Sequence, residues 1–508
     1  MIANNKRIAK NTIMLYIRML FTMLVSLYTS RVVLNVLGIE DYGIYNIVGG
    51  IVAMFSFLNG AMSSSTQRYL TFELGKENQC QLNKVFSTSM IIHGIIALAI
   101  ILLAETVGLW FLHNKLIIPP ERMKAAEWIF HFSVFSSVLA IMNTPKIAAI
   151  VAHEKMKAFA YISIVEVLLK LTIVILLMFI HFDKLILYGV MLLCVQILIY
   201  VIYQIYCRVH FEECRFRRYW NYSLFKEMFF FAGWNLFGNF AVITYTQGLN
   251  IILNMFFNPA VNAARGIAVQ VQNTVAQFST NFQMAINPQI TKSYAKNNLS
   301  EMYTLIFRSS KYSFFLLFII SLPIILETNQ ILTWWLKIVP EYTASFLQII
   351  LITSIVDSTA NSLMIAAQAT GKIRVYQSII GGILLLILPI SYLFLKWGYP
   401  PEIVFVVHLS ITCIAWVVRL LIVRHLANLP IKNYLREVII KIMYVVSTSI
   451  IVPILIWYFM PENFVRFIIV TLISILVTGL SIYFLGLDKT EQTFIVNNVR
   501  NTLKRIKK

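Results

Sequence analysis

Apolar stretches of twenty or more residues recur along the whole of this 508-residue chain, and they leave it few ways to fold. Each is long enough to cross a bilayer core about 30 Å thick. Backbone groups in hydrocarbon must be satisfied within the protein, so segments of this length fold as a helical bundle. Fourteen spans are expected, at about 12–37, 42–67, 85–111, 126–151, 160–181, 185–207, 228–257, 263–290, 309–328, 344–369, 374–396, 401–425, 438–460 and 464–487. The first begins near residue 12 and others follow it, so it reads as a true span and not as a cleaved signal peptide.

A formal net charge of +20 would suit a nucleic-acid partner, but its placement points to topology. Of the 42 Lys and Arg residues, 31 fall in alternate loops and the termini, among them Arg68, Lys146, Lys372, Arg374 and Arg419, while eight, including Arg122, Arg265 and Arg466, fall on the opposite side. This asymmetry places both termini in the cytoplasm, with anionic headgroups as the contact of the basic loops. The five cysteines have no metal-ligand spacing, so neither zinc nor disulfides are expected. No loop is large enough to build a catalytic domain with its own core.

Within this pattern lies a faint internal repeat. GIYNIVGGIVAMFS from Gly43 and GIAVQVQNTVAQFS from Gly266 agree at Gly43/Gly266, Ile44/Ile267, Val48/Val271, Val52/Val275, Ala53/Ala276, Phe55/Phe278 and Ser56/Ser279. Further on, Ile147–Ala149 precede Lys155 and Lys157 as Ile365–Ala367 precede Lys372 and Arg374. The copies are an even number of spans apart, so they are parallel repeats, and duplicated halves in a membrane chain point to a transporter. The expected organisation is a six-helix bundle over 1–207, a basic cytoplasmic linker over 208–227, a second six-helix bundle over 228–425, and two extra helices with a basic tail over 426–508. The linker reads as an amphipathic segment lying on the membrane.

Some residues are costly in hydrocarbon. An ionised side chain near the bilayer centre costs about 2.5–3.5 kcal/mol on insertion scales, so Arg18, Arg31 and Lys170 need water or partners. Arg18 and Arg31 can snorkel to nearby headgroups or face a cavity. Glu166 precedes Lys170 by one turn, giving either a self-neutralising pair or a charged wall of a watery cavity. Asp357 has no base in its own span, which leaves an ion or proton site or a partner on another helix. His93 and Glu105 are weaker candidates. In the eighth span Gln270, Asn273, Gln277 and Thr280/Asn281 recur on one helix face. One or two such amides are ordinary interhelical glue. A stripe over three turns reads as a hydrated wall suited to sugar hydroxyls. No phosphate-binding loop or HExxH motif is present, so ATP-driven transport by this chain alone has no support.

LGIEDYGIYNIV (Leu37–Val48), IAAQATGKIRVYQ (Ile365–Gln377) and the 6+6+2 arrangement resemble the polysaccharide-exporter branch of the MOP superfamily. That branch comprises the Wzx-type O-antigen and capsule flippases, relatives of lipid II flippases and MATE exporters. The resemblance implies an all-α polytopic protein with two bundles facing each other in a V. It implies transport of undecaprenyl-pyrophosphate-linked oligosaccharide across the bacterial inner membrane by alternating access. It places Arg18, Arg31 and Lys170, joined by Arg265, in a cationic cavity, with the amides of Gln270, Asn273, Gln277 and Asn281 meeting the sugars. No cofactor or metal is expected, and H⁺ or Na⁺ coupling through Glu166 or Asp357 stays open. The expected partners are membrane lipid, the lipid-linked oligosaccharide and other polysaccharide-assembly proteins, around a monomer that binds no nucleic acid. A MATE-like cation-coupled drug or metabolite antiporter is the main rival, and a membrane polysaccharide polymerase or ligase is the other. The copies also diverge: Gln270, Gln272, Asn273 and Gln277 stand where the first has Ile47, Gly49, Gly50 and Met54, so charge is expected from the first half and amides from the second.

Overall fold

The computed structural model describes residues 2–55, 57–115, 118–179, 182–215, 221–257, 259–336, 339–493 and 496. Every regular element among them is helical. Among the described residues twelve helices are long and apolar enough to cross a membrane, from Arg7–Gly38 to Phe464–Gly486. The expected spans at 42–67 and 263–290 are not among the twelve. The former falls in the helices Ile2–Phe55 and Phe57–Gly75, the second of which carries Ser63–Ser65, Gln67 and Arg68. The latter is the helix Pro259–Ala295, whose repeated Asn and Gln residues dilute its apolar content. The count of fourteen is therefore approximate, and the two helices that fall short hold the two copies of the repeat.

The helix Ile2–Phe55 breaks at Gly38, where φ 80° and ψ 170° require a residue without a Cβ. Pro145, Pro288, Pro323 and Pro453 lie inside helices, a position tolerated in buried bundles where neighbouring groups take up the freed carbonyl. Where chain leaves the bundle, caps take over. The Asp183 carboxylate accepts from the N–H groups of Leu185 and Ile186 and also pairs with Arg122, which bonds Asp41 as well.

The chain divides into two compact units. The first comprises residues 1–239 and 284–299. Its axis is the helix Met123–Ala152, packed against Ile2–Phe55, Phe57–Gly75, Gln79–Leu103 and Lys184–His210. Ile129, Phe130 and Val134 meet Ile44, Val48, Ala104 and Leu112 in its core. The second comprises residues 240–283 and 300–508. There the helix Ile403–Ala427 packs against Thr343–Ser358, Ala360–Ala369, Ile373–Leu385 and Ile387–Lys396. Ile440–Phe459 and Phe464–Ser481 pack on each other. The long helices Tyr222–Phe256 and Pro259–Ala295 each contribute one part to each unit.

Two details revise the charge map. Several bases assigned to loops lie inside helices and are buried: Arg68, stacked over Tyr69, Phe72 and Phe231; Lys146, 3.4 Å from the ring centroid of Tyr200; and Arg466, which donates to both carboxylate oxygens of buried Glu327. Helices extend beyond their apolar runs, and bases at their ends are taken up by packing. The other detail concerns the linker. Residues 216–220 lie outside the described residues, and the preceding turn Glu212–Cys214 is tucked inward, with Glu213 and Cys214 buried. Burial alone would raise the Glu213 carboxyl; His153 and other hydrogen-bond donors, Gln79 among them, outweigh it and hold the group below the usual range.

Candidate functional site

In the first unit, polar residues from three helices meet around Tyr203 of Lys184–His210. Its hydroxyl lies near Ser163, Glu166 and Arg18. Arg18 is half-buried, with its guanidinium 4.7 Å from the Phe159 ring centroid. Lys170 Nζ donates to Glu166 Oε1 at 2.7 Å, the two sharing one face of Met156–Leu177. The pair is only partly buried, at 41% and 28% side-chain exposure, so it does not carry the cost of a fully buried ion pair. Arg31 stands apart from this cluster. It is exposed, and it makes no hydrogen bond or ion pair among the described residues. Of the weaker candidates, His93 Nδ1 contacts the Ser89 carbonyl oxygen at 2.8 Å while its buried Nε2 has no hydrogen-bond partner among the described residues, and Glu105 pairs with His131 at 3.0 Å.

The second unit holds a larger cluster. Arg265, almost fully buried at the head of Pro259–Ala295, donates to Asn250 Oδ1 and, at 2.8 Å, to the Thr246 carbonyl. One turn away, the Tyr245 ring lies 5.1 Å from His408. Asp357 accepts from Arg419 Nη1 at 2.7 Å, and Tyr376 lies within electrostatic reach of both. His408 in turn feels Asp357 and Arg265. Tyr245, Arg265, Asp357, Tyr376, His408 and Arg419 therefore form one connected polar group drawn from five helices. Asp357 does have a base, and it comes from another helix: Arg419, counted by sequence as a loop residue, sits inside Ile403–Ala427. The readable signal was its position within the apolar run ITCIAWVVRLLIV.

Along Pro259–Ala295 the amides divide by face. Gln272 donates to Ser354 Oγ at 2.7 Å, and Gln283 donates to Ser313 Oγ and the Ser358 carbonyl; these are glue inside the second unit. Asn281 is buried and donates to the Gln277 carbonyl. Gln270, Asn273, Thr274, Gln277 and Thr280 are exposed. An exposed amide row on a membrane helix cannot face lipid chains without leaving donors and acceptors unsatisfied.

One hub in the first unit went unnoticed in the sequence. Glu154, in the turn between Met123–Ala152 and Met156–Leu177, is buried. Its carboxylate accepts from Arg7 at 2.9 Å, Lys292 at 2.8 Å and Gln289 at 2.9 Å, while its carbonyl accepts from Asn11. Its backbone is left-handed, with φ 59°. In the second copy of the repeat the equivalent residue, preceding Lys372 as Glu154 precedes Lys155, is Gly371, with φ 78°. An acid where the duplicate has glycine was the available signal.

The sequence matches no protein-family model and no curated protein. Its fold is that of MATE transporters of the MOP superfamily. A multidrug resistance MATE family transporter in an outward-facing conformation aligns with a TM-score of 0.71 and 13% identity, over 84% of this chain and 96% of that one. A MATE structure in a bent conformation aligns at 0.72 and 13%, over 85% and 97%. A MOP superfamily transporter from Pyrococcus furiosus, described as having a binding pocket of reverse polarity that suggests a different function, aligns at 0.70 and 13%, over 84% and 96%.

Proposed function

We propose that the protein is a multi-pass transporter of the bacterial inner membrane, with cytoplasmic termini, that moves undecaprenyl-pyrophosphate-linked polysaccharide repeat units between leaflets by alternating access. The observation that carries this reading is the exposed, uncharged row Gln270, Asn273, Gln277 on Pro259–Ala295. Amides present paired donors and acceptors and no net charge, which matches the hydroxyls of an oligosaccharide better than a cationic drug. The charge balance supports it. Glu166 and Asp357 are each held by a base of their own unit. Arg31 and Arg265 have no carboxylate partner among the described residues. Guanidinium groups suit a pyrophosphate, which they can meet with two parallel hydrogen bonds. Within the first unit Arg18 is a further guanidinium.

The test is made in the host strain. Deleting the gene should abolish a surface glycan and accumulate its lipid-linked precursor, and Arg31→Ala or Arg265→Ala should reproduce this at normal protein level. Unchanged glycan with raised intracellular drug or metabolite would establish the antiporter reading instead. A changed glycan chain length with flipping intact would establish the polymerase reading.

A further inference from the structure

The helix Ile403–Ala427 ends in Arg424, His425 and a left-handed Asn428, and the chain turns through Pro430 into Ile431–Phe459. Both helices are long and apolar enough to cross a membrane, so this turn marks a boundary between membrane and water. Two adjoining cavities open there, of about 830 and 580 Å³, with Leu421 and His425 common to both. The rim carries Lys372, Arg374, Arg424, His425 and Lys432. Lys372, Arg424, His425 and Lys432 make no ion pair among the described residues. Below the rim the lining turns apolar, with Val418, Leu421 and Ile422.

We propose that this groove seats an anionic phospholipid, its phosphate among Arg424, Lys432 and Lys372 and its upper acyl chains along Val418, Leu421 and Ile422. A basic rim with no acid in the lining calls for an anion. An apolar floor continuous with a membrane-facing helix calls for a tail. A ligand carrying both is a membrane lipid, because a soluble phosphate would leave the floor empty. Basic pockets between spans hold lipid headgroups by this combination. The site lies within the second unit and shares no lining residue with the amide row or the Arg265 cluster, so it does not depend on the transport reading above.

The test uses the full-length protein in nanodiscs, titrating phosphatidylglycerol into phosphatidylcholine and counting retained lipid by native mass spectrometry. Phosphatidylglycerol should be retained preferentially. Retention should weaken about fivefold for each cation removed by Arg424→Gln or Lys432→Gln, and roughly 25-fold for the pair. Lys157→Gln, an exposed base outside the groove, should leave retention unchanged. Equal losses for Lys157→Gln and the groove variants would show a general surface potential and overturn the proposal. Undiminished retention in the double variant, or full competition by soluble glycerol 3-phosphate, would overturn it equally.

Discussion

Replacing Glu154 by glycine, the residue its duplicate uses, sets two effects of comparable size against each other. A non-glycine residue in the left-handed region costs about 1–2 kcal/mol. Glycine would relieve that strain, but its greater freedom in the unfolded chain returns about 0.5–1 kcal/mol of the gain. The net relief is about 0–1.5 kcal/mol. Against it stands the carboxylate. Its side chain is 1% exposed and joins Lys292, itself 22% exposed, to Arg7 and Gln289. Breaking a buried ion pair by removing one partner costs about 3–5 kcal/mol. Arg7 is half exposed, which puts the expected loss near the low end. Glu154→Gly should therefore destabilise by about 1.5–3 kcal/mol, lowering the melting temperature of the detergent-solubilised 508-residue protein by roughly 1–3 °C. Fluorescence-detected size exclusion after a heating series reads this directly. Glu77→Gly is the control: it has the same left-handed backbone, φ 57°, but an exposed partner in Lys296, and it should melt at or above wild type. If Glu154→Gly melts as high as wild type, backbone strain dominates and the hub contributes nothing.

Three further outcomes are expected. Glu327→Gln should destabilise by about 3–5 kcal/mol in a thermal or denaturant melt, because it leaves the buried Arg466 guanidinium without its two-point acceptor. Gly75→Ala should cost about 1–3 kcal/mol, since a Cβ there would sit 2.7 Å from Ala295 Cβ and 3.0 Å from the Lys292 backbone. Stability should also fall with acid through the tail network. Burial alone would raise Glu491 and Asp488, but Lys311 and Tyr312 on the first, and Lys441 and Lys311 on the second, hold both below the usual carboxylate range. Carboxyls depressed in the folded state contribute stability that is complete above their unfolded pKa and lost as pH falls through the folded one. The melting temperature should thus decline below about pH 4, the ordinary carboxylate range, and Glu491→Gln should flatten that decline.

Helicity, the membrane class and most of the span positions were legible because each follows from local composition and period. Partnership between helices was not. Sequence spacing showed that Glu166 and Lys170 share a face, since a turn of helix fixes it, but nothing within the span 344–369 could show that Asp357 meets Arg419 sixty-two residues later. Bases near span ends were read as loop residues because charge is the usual mark of a loop. Lys146 and Arg466 show the alternative, in which packing against Tyr200 or Glu327 carries the charge inside. In the linker, whose basic and aromatic composition suits a membrane surface, the turn Glu212–Cys214 is held inward through Glu213 and His153.

The repeat explains how one architecture can present two surfaces. Ile47 and Gln270 are matched positions, and both are exposed on their helices. Duplication thus preserved which way the position points while its chemistry diverged, apolar in one copy and amide in the other. Glu154 and Gly371 diverged in the opposite sense. There the left-handed backbone was kept in both copies, and only the first added an acid that binds Arg7 and Lys292. Backbone geometry is the conserved currency of this duplication, and side-chain chemistry is where the halves specialised. Exchanging Gln270 for Ile should therefore leave the fold and melting temperature intact while impairing transport, because it changes an outward-facing surface and no internal contact. A melting temperature that falls with the exchange would show that Gln270 is structural glue like Gln272 and Gln283, and the hydrated wall would lose its central residue.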